Sequence, residues 1–289
     1  MKRAAIVVAV LGMCVWSFGQ SNNKPAGQSA PAGQTAPATG QAAAPAGKRP
    51  PAAKTQPEFE AYKAAVAQTD PTALEKAADD FAAKFPDSEL RGPVYTVAMG
   101  RYQGNPDKMM DVGKKILAID ADDPAALVGV AQAIVEKMHE TDLDKDQERA
   151  DAKKYAERAM VTIETDIPTS GYPPEQITAF KNGVRSEAYF ILGTLSFKVS
   201  NWPDAEVNLR KSVDLMPQQP DAYTIFQLAV TLDMQNKLPE AMKYVDQAVD
   251  LTKSRPDSGV GKAARDEKDR LTKLSGGTAP GQAATPPKN

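Results

Sequence analysis

Few residues of this chain are of the types that carry out chemistry in proteins. The sequence has one histidine, His139, and one cysteine, Cys14. An imidazole can transfer protons or ligate a metal, and a thiolate can act as a nucleophile, but each needs partner groups that orient or activate it. The chain lacks the usual ligand sets for zinc and the Walker and Gly-x-Ser-x-Gly motifs. The sequence therefore predicts no catalytic residue, no cofactor site and no metal site.

A cluster of aspartates directly after His139 has the alternation of a calcium loop. Asp142, Asp144 and Asp146 would stand at its first, third and fifth places. The sixth place, however, holds Gln147 where the loop needs glycine, and the twelfth holds Lys153 in place of glutamate. We interpret this stretch as a solvated acidic turn, with His139 at the end of the preceding helix.

The charge distribution gives no indication of nucleic-acid binding. Residues 1–57 contain six basic residues and no acid, so with a total of −2 the remainder of the chain carries −8. Proteins that bind nucleic acid carry a basic stripe that neutralises phosphates. We therefore expect no nucleic-acid partner.

Residues 1–19 are typical of a secretory signal peptide. Two basic residues precede an apolar run of 13 residues, 4–16, and Ser17 and Gly19 are the small residues expected before cleavage at Gln20. A helix that crosses a bilayer needs about 20 apolar residues, so this run is short for a permanent anchor. The sequence predicts export to the periplasm, the cell envelope or the medium, with membrane contact only if the signal is retained or lipidated.

Cys14 leaves a lipid anchor open as the alternative. A lipoprotein signal has Leu-x-x-Cys with a small residue before the cysteine; Leu11 fits this pattern, and Met13 does not. If cleavage falls before Gln20 instead, no thiol remains in the mature chain, and disulfides are excluded.

Two segments have a composition typical of disorder. Residues 20–56 are almost wholly Ala, Pro, Gly, Gln, Ser and Thr, without a Leu, Ile, Val or aromatic residue, and residues 274–289 are similar. Such segments cannot offset their ordering entropy by burying apolar surface. We interpret the first as a tether that spans ~35 Å as a random coil, with a partner-docking motif as the alternative.

Residues 57–170 have the periodicity of helical hairpins. Apolar residues recur at 3- and 4-residue spacing in 58–66 and 74–85, with a break at Pro71 between them. Two more hairpins are predicted over 90–120 and 124–165, and Asp122 or Asp123 is placed to cap the helix that opens the last one. Residues 167–176 contain three prolines and are predicted to interrupt the array.

The stretch from Ser186 to Pro256 passes twice through the same pattern. Leu192-Gly193 recurs as Leu228-Ala229, and Ala205 recurs as Ala241, in each case after 36 positions. A fixed period of this size is typical of stacked repeats. Gly193 and Ala205 are expected to be small because the two helices of a hairpin approach to about 8–10 Å.

This stretch resembles the tetratricopeptide repeat (TPR) family, whose repeats are antiparallel helix pairs. The TPR places hold Tyr189, Leu192-Gly193, Ser196, Ala205, Leu209, Ser212 and Pro217, and then Ile225, Leu228-Ala229, Leu232, Ala241, Val245, Ala248 and Lys253. Ser196, Ser212 and Lys253 depart from the family pattern. The resemblance implies an all-α, right-handed α-solenoid of about five hairpins, in which residues 171–273 are TPR repeats with a capping helix; a bundle without a superhelix is the alternative.

The resemblance also implies where a partner binds, because the first helices of TPR hairpins line a concave groove. The groove places hold Glu187, Phe190, Thr194, Phe197 and Lys198, and then Tyr223, Phe226, Val230, Asp233 and Met234. Some of these residues, Phe190 and Phe226 above all, could instead pack against the neighbouring hairpin. The Lys and Asn clamp that some TPR domains use for a carboxylate is not reproduced, so we expect a ligand with apolar side chains.

Three hypotheses follow for the function. The first is an exported, non-enzymatic scaffold that binds a protein or peptide in the groove. The second is an envelope-anchored structural or assembly factor resembling the TPR lipoproteins of outer-membrane assembly. The third is an enzyme or carbohydrate-binding protein, which the absent motifs disfavour.

Overall fold

The computed structural model describes residues 48–139 and 141–276. The predicted signal peptide with Cys14, the linker up to residue 47 and the C-terminal segment from 277 onward lie outside the described residues. Between positions 48 and 276, Glu140 apart, no helix combines the length and the apolar composition that a membrane crossing requires.

Over the described residues the protein is an all-α helical solenoid, as predicted. Its helices are α1 (Gln56–Val66), α2 (Pro71–Lys84), α3 (Arg91–Arg101), α4 (Pro106–Ile119), α5 (Pro124–Lys137), α6 (Lys145–Thr162), α7 (Pro174–Lys198), α8 (Trp202–Leu215), α9 (Ala222–Asp233), α10 (Leu238–Leu251) and α11 (Gly259–Leu274). The pairs α1–α2 to α9–α10 form the first to fifth hairpins. Each helix packs on the next along the chain, and α11 closes the array against α9 and α10.

Short polar side chains followed by proline start several of these helices. Asp70, Asn105 and Asp123 each accept a hydrogen bond of 2.8–3.2 Å from the backbone N–H three residues later. In each case the next residue is a proline at the first helical position, where its missing N–H costs no hydrogen bond. Of the two residues predicted to cap α5, Asp123 is the N-cap.

Three hairpins turn through the same backbone conformation. Gly104, Ser200 and Asn236 have φ values of 78°, 57° and 57°, and each directly precedes the N-cap of the second helix of its hairpin. Glycine adopts this left-handed conformation at no steric cost, whereas serine and asparagine pay one. The turn is therefore fixed by the packing of the two helices.

The fourth hairpin begins earlier than the recurring pattern does. Helix α7 is continuous over 25 residues, so its first three turns precede Ser186. They pack on α6, where Phe180 is buried and where Lys181 and Arg185 both pair with Glu164. The predicted interruption over 167–176 is thus shorter, because helix resumes at Pro174.

Helix α5 lies between the two parts of the hydrophobic core. Eleven of its 14 residues are buried. Ala126 and Ala133 pack with residues of the first two hairpins, whereas Val130 and Ile134 belong to the cluster that continues to Leu271 in α11. A helix that is apolar around most of its circumference is expected to have neighbours on all sides.

Helices α7 and α8 approach closely at Gly193. A Cβ atom there would lie 2.8 Å from Leu209 Cγ and 3.2 Å from the Leu209 backbone nitrogen. The nearest atoms therefore belong to Leu209 and not to Ala205, which corrects the partner expected from the repeat pattern. Ala205 is itself fully buried.

The last residues of the predicted linker, 48–55, have defined positions along the first three hairpins. We call this segment the N-terminal strap. It has no regular secondary structure apart from an isolated bridge between Lys48 and Pro168, and Thr55 at its end caps α1 by accepting from the Glu58 N–H. Composition assigns the strap to a disordered tether, but polar contacts with distant loops hold it in place.

Candidate partner-binding groove

The groove residues predicted on α9 form one continuous stripe. Tyr223, Phe226 and Val230 are half-buried and follow one another at 3- and 4-residue spacing, so they share a face of the helix. The opposite face, represented by Leu228, is fully buried in the core. Met234, directly after the helix, continues the stripe and is 51% exposed. The helix thus presents apolar side chains on a second face as well as on its core face.

Two of the residues predicted on α7 are buried against α9. Phe190 and Thr194 are each 5% exposed. The Phe190 ring meets the Tyr223 ring edge to face at 5.9 Å between centroids, and the Thr194 hydroxyl donates to Gln227 Oε1 at 3.0 Å. Phe190 and Thr194 therefore join the fourth hairpin to the fifth, and the free chain offers neither of them to a partner.

The other α7 residues lie toward the end of the helix. Phe197 is half-buried and packs edge to face on Trp202, with 5.3 Å between ring centroids. Lys198 Nζ donates to the Met138 carbonyl at 3.1 Å, which ties the end of α7 to the end of α5. Glu187 lies near the middle of α7 and is half-buried. The structure thus places Phe197 in an aromatic pair and Lys198 in a contact between hairpins.

Asp233 connects the stripe to the closing helix. Its carboxylate pairs with Arg270 of α11 and is only 12% exposed on the side chain. Hydrogen bonding to Glu267 and Asp233 raises the pKa of Arg270 above its ordinary value. The negative charge at this end of the groove is therefore neutralised within the chain.

A polar cluster joins α8 to the turn between α9 and α10. Glu206 of α8 accepts from Lys237 Nζ at 2.6 Å and from Gln235 Nε2 at 2.8 Å, and it also pairs with Arg210. Burial alone would raise the pKa of Glu206, but the hydrogen bonds from these three donors outweigh burial and lower it. The carboxylate is therefore held ionised between the two hairpins.

The part of the chain that the structure describes shows no cluster of side chains for a metal ion. Within that part, no three carboxylate, imidazole or thiol groups lie together as a metal site would need. His139 is exposed after α5, and its backbone N–H donates to Asp142 Oδ2 at 2.6 Å. This bond joins the His139 backbone to the Asp142 side chain and so closes the acidic turn.

The sequence did not indicate the contacts of the strap. They involve acids in the loops between hairpins, Glu89, Asp120 and Asp166, which are 37 or more residues away from their partners. The basic residues among the prolines were the one sequence feature that could have indicated these contacts. Such residues are equally compatible with a solvated tether.

Comparison with known protein families gives no match, and comparison with curated proteins gives none either. Among solved structures, the chain is similar to the assembly chaperone of RpL4 (Acl4, residues 1–338), with 12% identity and a TM-score of 0.37 over 76% of this chain and 98% of that one. A TM-score below 0.5 does not establish a common fold. The function is therefore argued from the residues of this chain.

Proposed function

We propose that this protein is an exported, non-enzymatic TPR-type scaffold that binds a protein or peptide through the stripe on α9 and the adjoining end of α7. The stacked hairpins and the recurrence over 186–256 support the scaffold. Export is supported by the composition of residues 1–19.

The single observation that carries the proposal is that three neighbouring side chains, Tyr223, Phe226 and Val230, remain partly exposed on a helix whose opposite face is buried in the core. Contiguous apolar surface of this kind marks interaction sites, and large aromatic residues dominate binding energy at such sites. Phe190 packs against the edge of Tyr223 from within the fold. This support limits the motion of the ring before a partner arrives, which lowers the entropy cost of binding.

The ligand that fits best is a segment with apolar side chains. Asp233 is paired with Arg270, and Lys198 is engaged by the Met138 carbonyl. The places of the carboxylate clamp hold Phe190 and Thr194, which are buried. We therefore expect binding through apolar contact, with weak dependence on salt.

Cross-linking from matched positions tests the groove. A photoreactive phenylalanine analogue is placed at Met234, or at Val207 on α8, in the full-length protein inside its own cells. Both residues are 51% exposed, but Val207 lies on the second helix of its hairpin, outside the predicted groove. We expect a defined cross-linked partner from position 234 and none from 207.

The double variant Tyr223→Ala, Phe226→Ala should remove that cross-link, because hot-spot aromatics are typically worth about 2 kcal/mol or more each. Circular dichroism of the variant confirms that the array is folded. Equal cross-linking from 234 and 207, or a cross-link that survives the double variant in the folded protein, contradicts the groove.

The mature N-terminus decides between a free and an anchored scaffold. Mass spectrometry that finds Gln20 as the first residue supports the exported form. A diacylglyceryl group on Cys14 would instead support the envelope-anchored assembly factor, and an intact Met1 would contradict export by this signal.

A further inference from the structure

The N-terminal strap lies along the edge of the first three hairpins where one hairpin connects to the next. Lys54 Nζ donates to the Asp87 carbonyl at 2.7 Å, in the loop between α2 and α3. At the other end of the strap, the Thr169 N–H donates to the Lys48 carbonyl at 3.2 Å, after α6. The strap thus crosses from the first hairpin to the third.

Glu89 binds two features of the strap at once. Its carboxylate forms a two-pronged pair with the Arg49 guanidinium, with 2.7 Å between Nη1 and Oε2, and accepts from the Ala52 N–H at 3.2 Å. The fork of an arginine matches a carboxylate in a way that lysine cannot. The hydrogen bond from Arg49 lowers the pKa of Glu89. Glu89 therefore selects an arginine followed three residues later by a backbone donor.

Lys48 is held between two further loops. Its Nζ lies 2.9 Å from Asp120 Oδ2, in the loop between α4 and α5, and 2.7 Å from Asp166 Oδ1, after α6. The intervening Pro50 and Pro51 have no N–H group, so this part of the strap leaves no backbone donor unsatisfied. Pro50 Cγ lies 3.8 Å from the place a Cβ on Gly171 would take.

One acid from each of three successive connections contacts the strap: Glu89, Asp120 and Asp166. The next connection, residues 216–221, differs, because Asp221 is its single acid and caps α9 by accepting from the Thr224 N–H. The acidic edge therefore ends with the third hairpin, and its length matches the strap that occupies it.

The contacts that hold the strap are accessible to water. The Lys48 and Arg49 side chains are 46% and 66% exposed. Ion pairs of this exposure are weak, because water screens both charges. The strap is thus recognised through specific groups but held weakly. Weak binding is what allows another segment to displace it.

We propose that this acidic edge is a second protein-binding surface, which recognises a segment with adjacent lysine and arginine followed by prolines. Residues 48–54 occupy it in the free chain, and a partner segment of the same chemistry displaces them. This surface is separate from the apolar groove on α9 and uses charge where the groove uses apolar contact.

The test uses a fluorescein-labelled peptide of sequence KRPPAAK, a copy of residues 48–54, and the full-length protein. In the variant Lys48→Glu, Arg49→Glu the strap no longer suits the edge. We expect this variant to bind the peptide ~10-fold more tightly than the wild type, where the strap competes at an effective concentration on the order of 1 mM. Fluorescence anisotropy at low salt measures the difference, and Arg49→Ala serves in its place if the double variant does not fold.

Two further variants, made in the strap-disabled chain, identify the surface. Glu89→Gln should weaken peptide binding several-fold, whereas Glu157→Gln, an acid on α6 with a 53% exposed side chain, should leave it unchanged. Equal binding by wild type and strap-disabled chain overturns the proposal, as does undiminished binding in Glu89→Gln. Neither result affects the cross-link expected from Met234, so the two proposed surfaces are tested independently.

Discussion

The contact between the first and second hairpins and the contact between the fourth and fifth have the same plan. Each has a glutamate on the second helix of the earlier hairpin, Glu75 or Glu206, with a side chain only 12% exposed. Each glutamate pairs with a lysine from the next hairpin, Lys108 at 3.0 Å or Lys237 at 2.6 Å. The ionic contact is thus present at both places, although the first two hairpins do not follow the recurring pattern of 186–256.

The two contacts differ in what completes the hydrogen bonding of the acids. In the first, Tyr102 Oη donates to Glu75 at 2.6 Å and Tyr95 Oη donates to Asp79 at 2.8 Å, while Lys115 joins both carboxylates. Both tyrosines are 6% exposed. Burial and the hydrogen bond to Asp79 raise the pKa of Tyr95. These tyrosines are structural donors.

In the contact between the fourth and fifth hairpins, Arg210 and Gln235 supply the hydrogen bonds to Glu206. The aromatic residues of α9, Tyr223 and Phe226, remain partly exposed. Aromatic residues on the first helices of the hairpins are therefore not equivalent. Those of α3 stabilise the array, and those of α9 form the surface proposed for a partner.

The largest expected effect comes from substituting glycines, because the space beside Gly193 in the fourth hairpin differs from the space beside Gly92 in the second. Gly193→Leu should lower the free energy of unfolding by about 3 kcal/mol, because Leu209 and its backbone already limit the space. Gly193→Ala should be milder but still destabilising. The control is Gly92→Ala in α3, where no atom lies within 4 Å of the new Cβ and helix propensity favours alanine by up to about 1 kcal/mol. Urea denaturation measures all three; equal midpoints for the two alanine variants would contradict the helix packing described.

Glu75→Gln should destabilise the protein by about 2 kcal/mol at pH 7, since Lys108 loses its anion and the buried Tyr102 hydroxyl loses its charged acceptor. Glu206→Gln should cost less, because Arg210 keeps its pair with Glu240 and among the described residues no buried tyrosine hydroxyl donates to Glu206. The measurement is the urea midpoint of each variant. An equal or larger loss for Glu206→Gln would reverse this part of the comparison.

The same carboxylate predicts a pH dependence. Burial alone would raise the pKa of Glu75, but hydrogen bonds from Tyr102, Lys108 and Lys115 outweigh burial and lower it. A lowered pKa means that the ionised form stabilises the folded state above the ordinary value of about 4.3, and that this contribution is lost as pH falls through the folded value. Below pH 5, the melting temperature should therefore fall less steeply with pH in Glu75→Gln than in wild type.

Removing single hydroxyl groups tests the two roles of tyrosine. Tyr102→Phe should cost about 1–1.5 kcal/mol of stability and leave cross-linking from position 234 unchanged, because the hydroxyl donates to Glu75 inside the array. Tyr223→Phe should preserve cross-linking, since its proposed role depends on the ring. A loss of cross-linking in Tyr102→Phe without loss of stability would contradict the division between the two regions.

The smallest effect concerns the shared turn. Ser200→Gly should stabilise the fourth hairpin by about 0.5–1 kcal/mol, because its φ of 57° is strained for serine. Gly104→Ala should destabilise the second hairpin by a similar amount, since its φ is 78°. Melting temperatures that shift in opposite directions confirm that the two turns share one geometry.

Local signals in the sequence determined where helices begin and how many hairpins form. An aspartate or asparagine before a proline, as at Asp70, Asn105 and Asp123, acts on backbone groups within the next three residues. Such signals need no tertiary contact, so they can be read from the chain alone. The same holds for the recurrence after 36 positions, which predicted the last two hairpins and their order.

Only the tertiary structure decided which side chains a partner can reach. Phe190 and Phe226 hold the same groove place in the two repeats, yet the first is buried and the second is partly exposed. The tertiary structure also placed Lys48 beside Asp166, 118 residues later in the chain. The physical reason is that one helical periodicity produces both a core face and a groove face, and the packing of the neighbouring hairpin determines which residues lie on each.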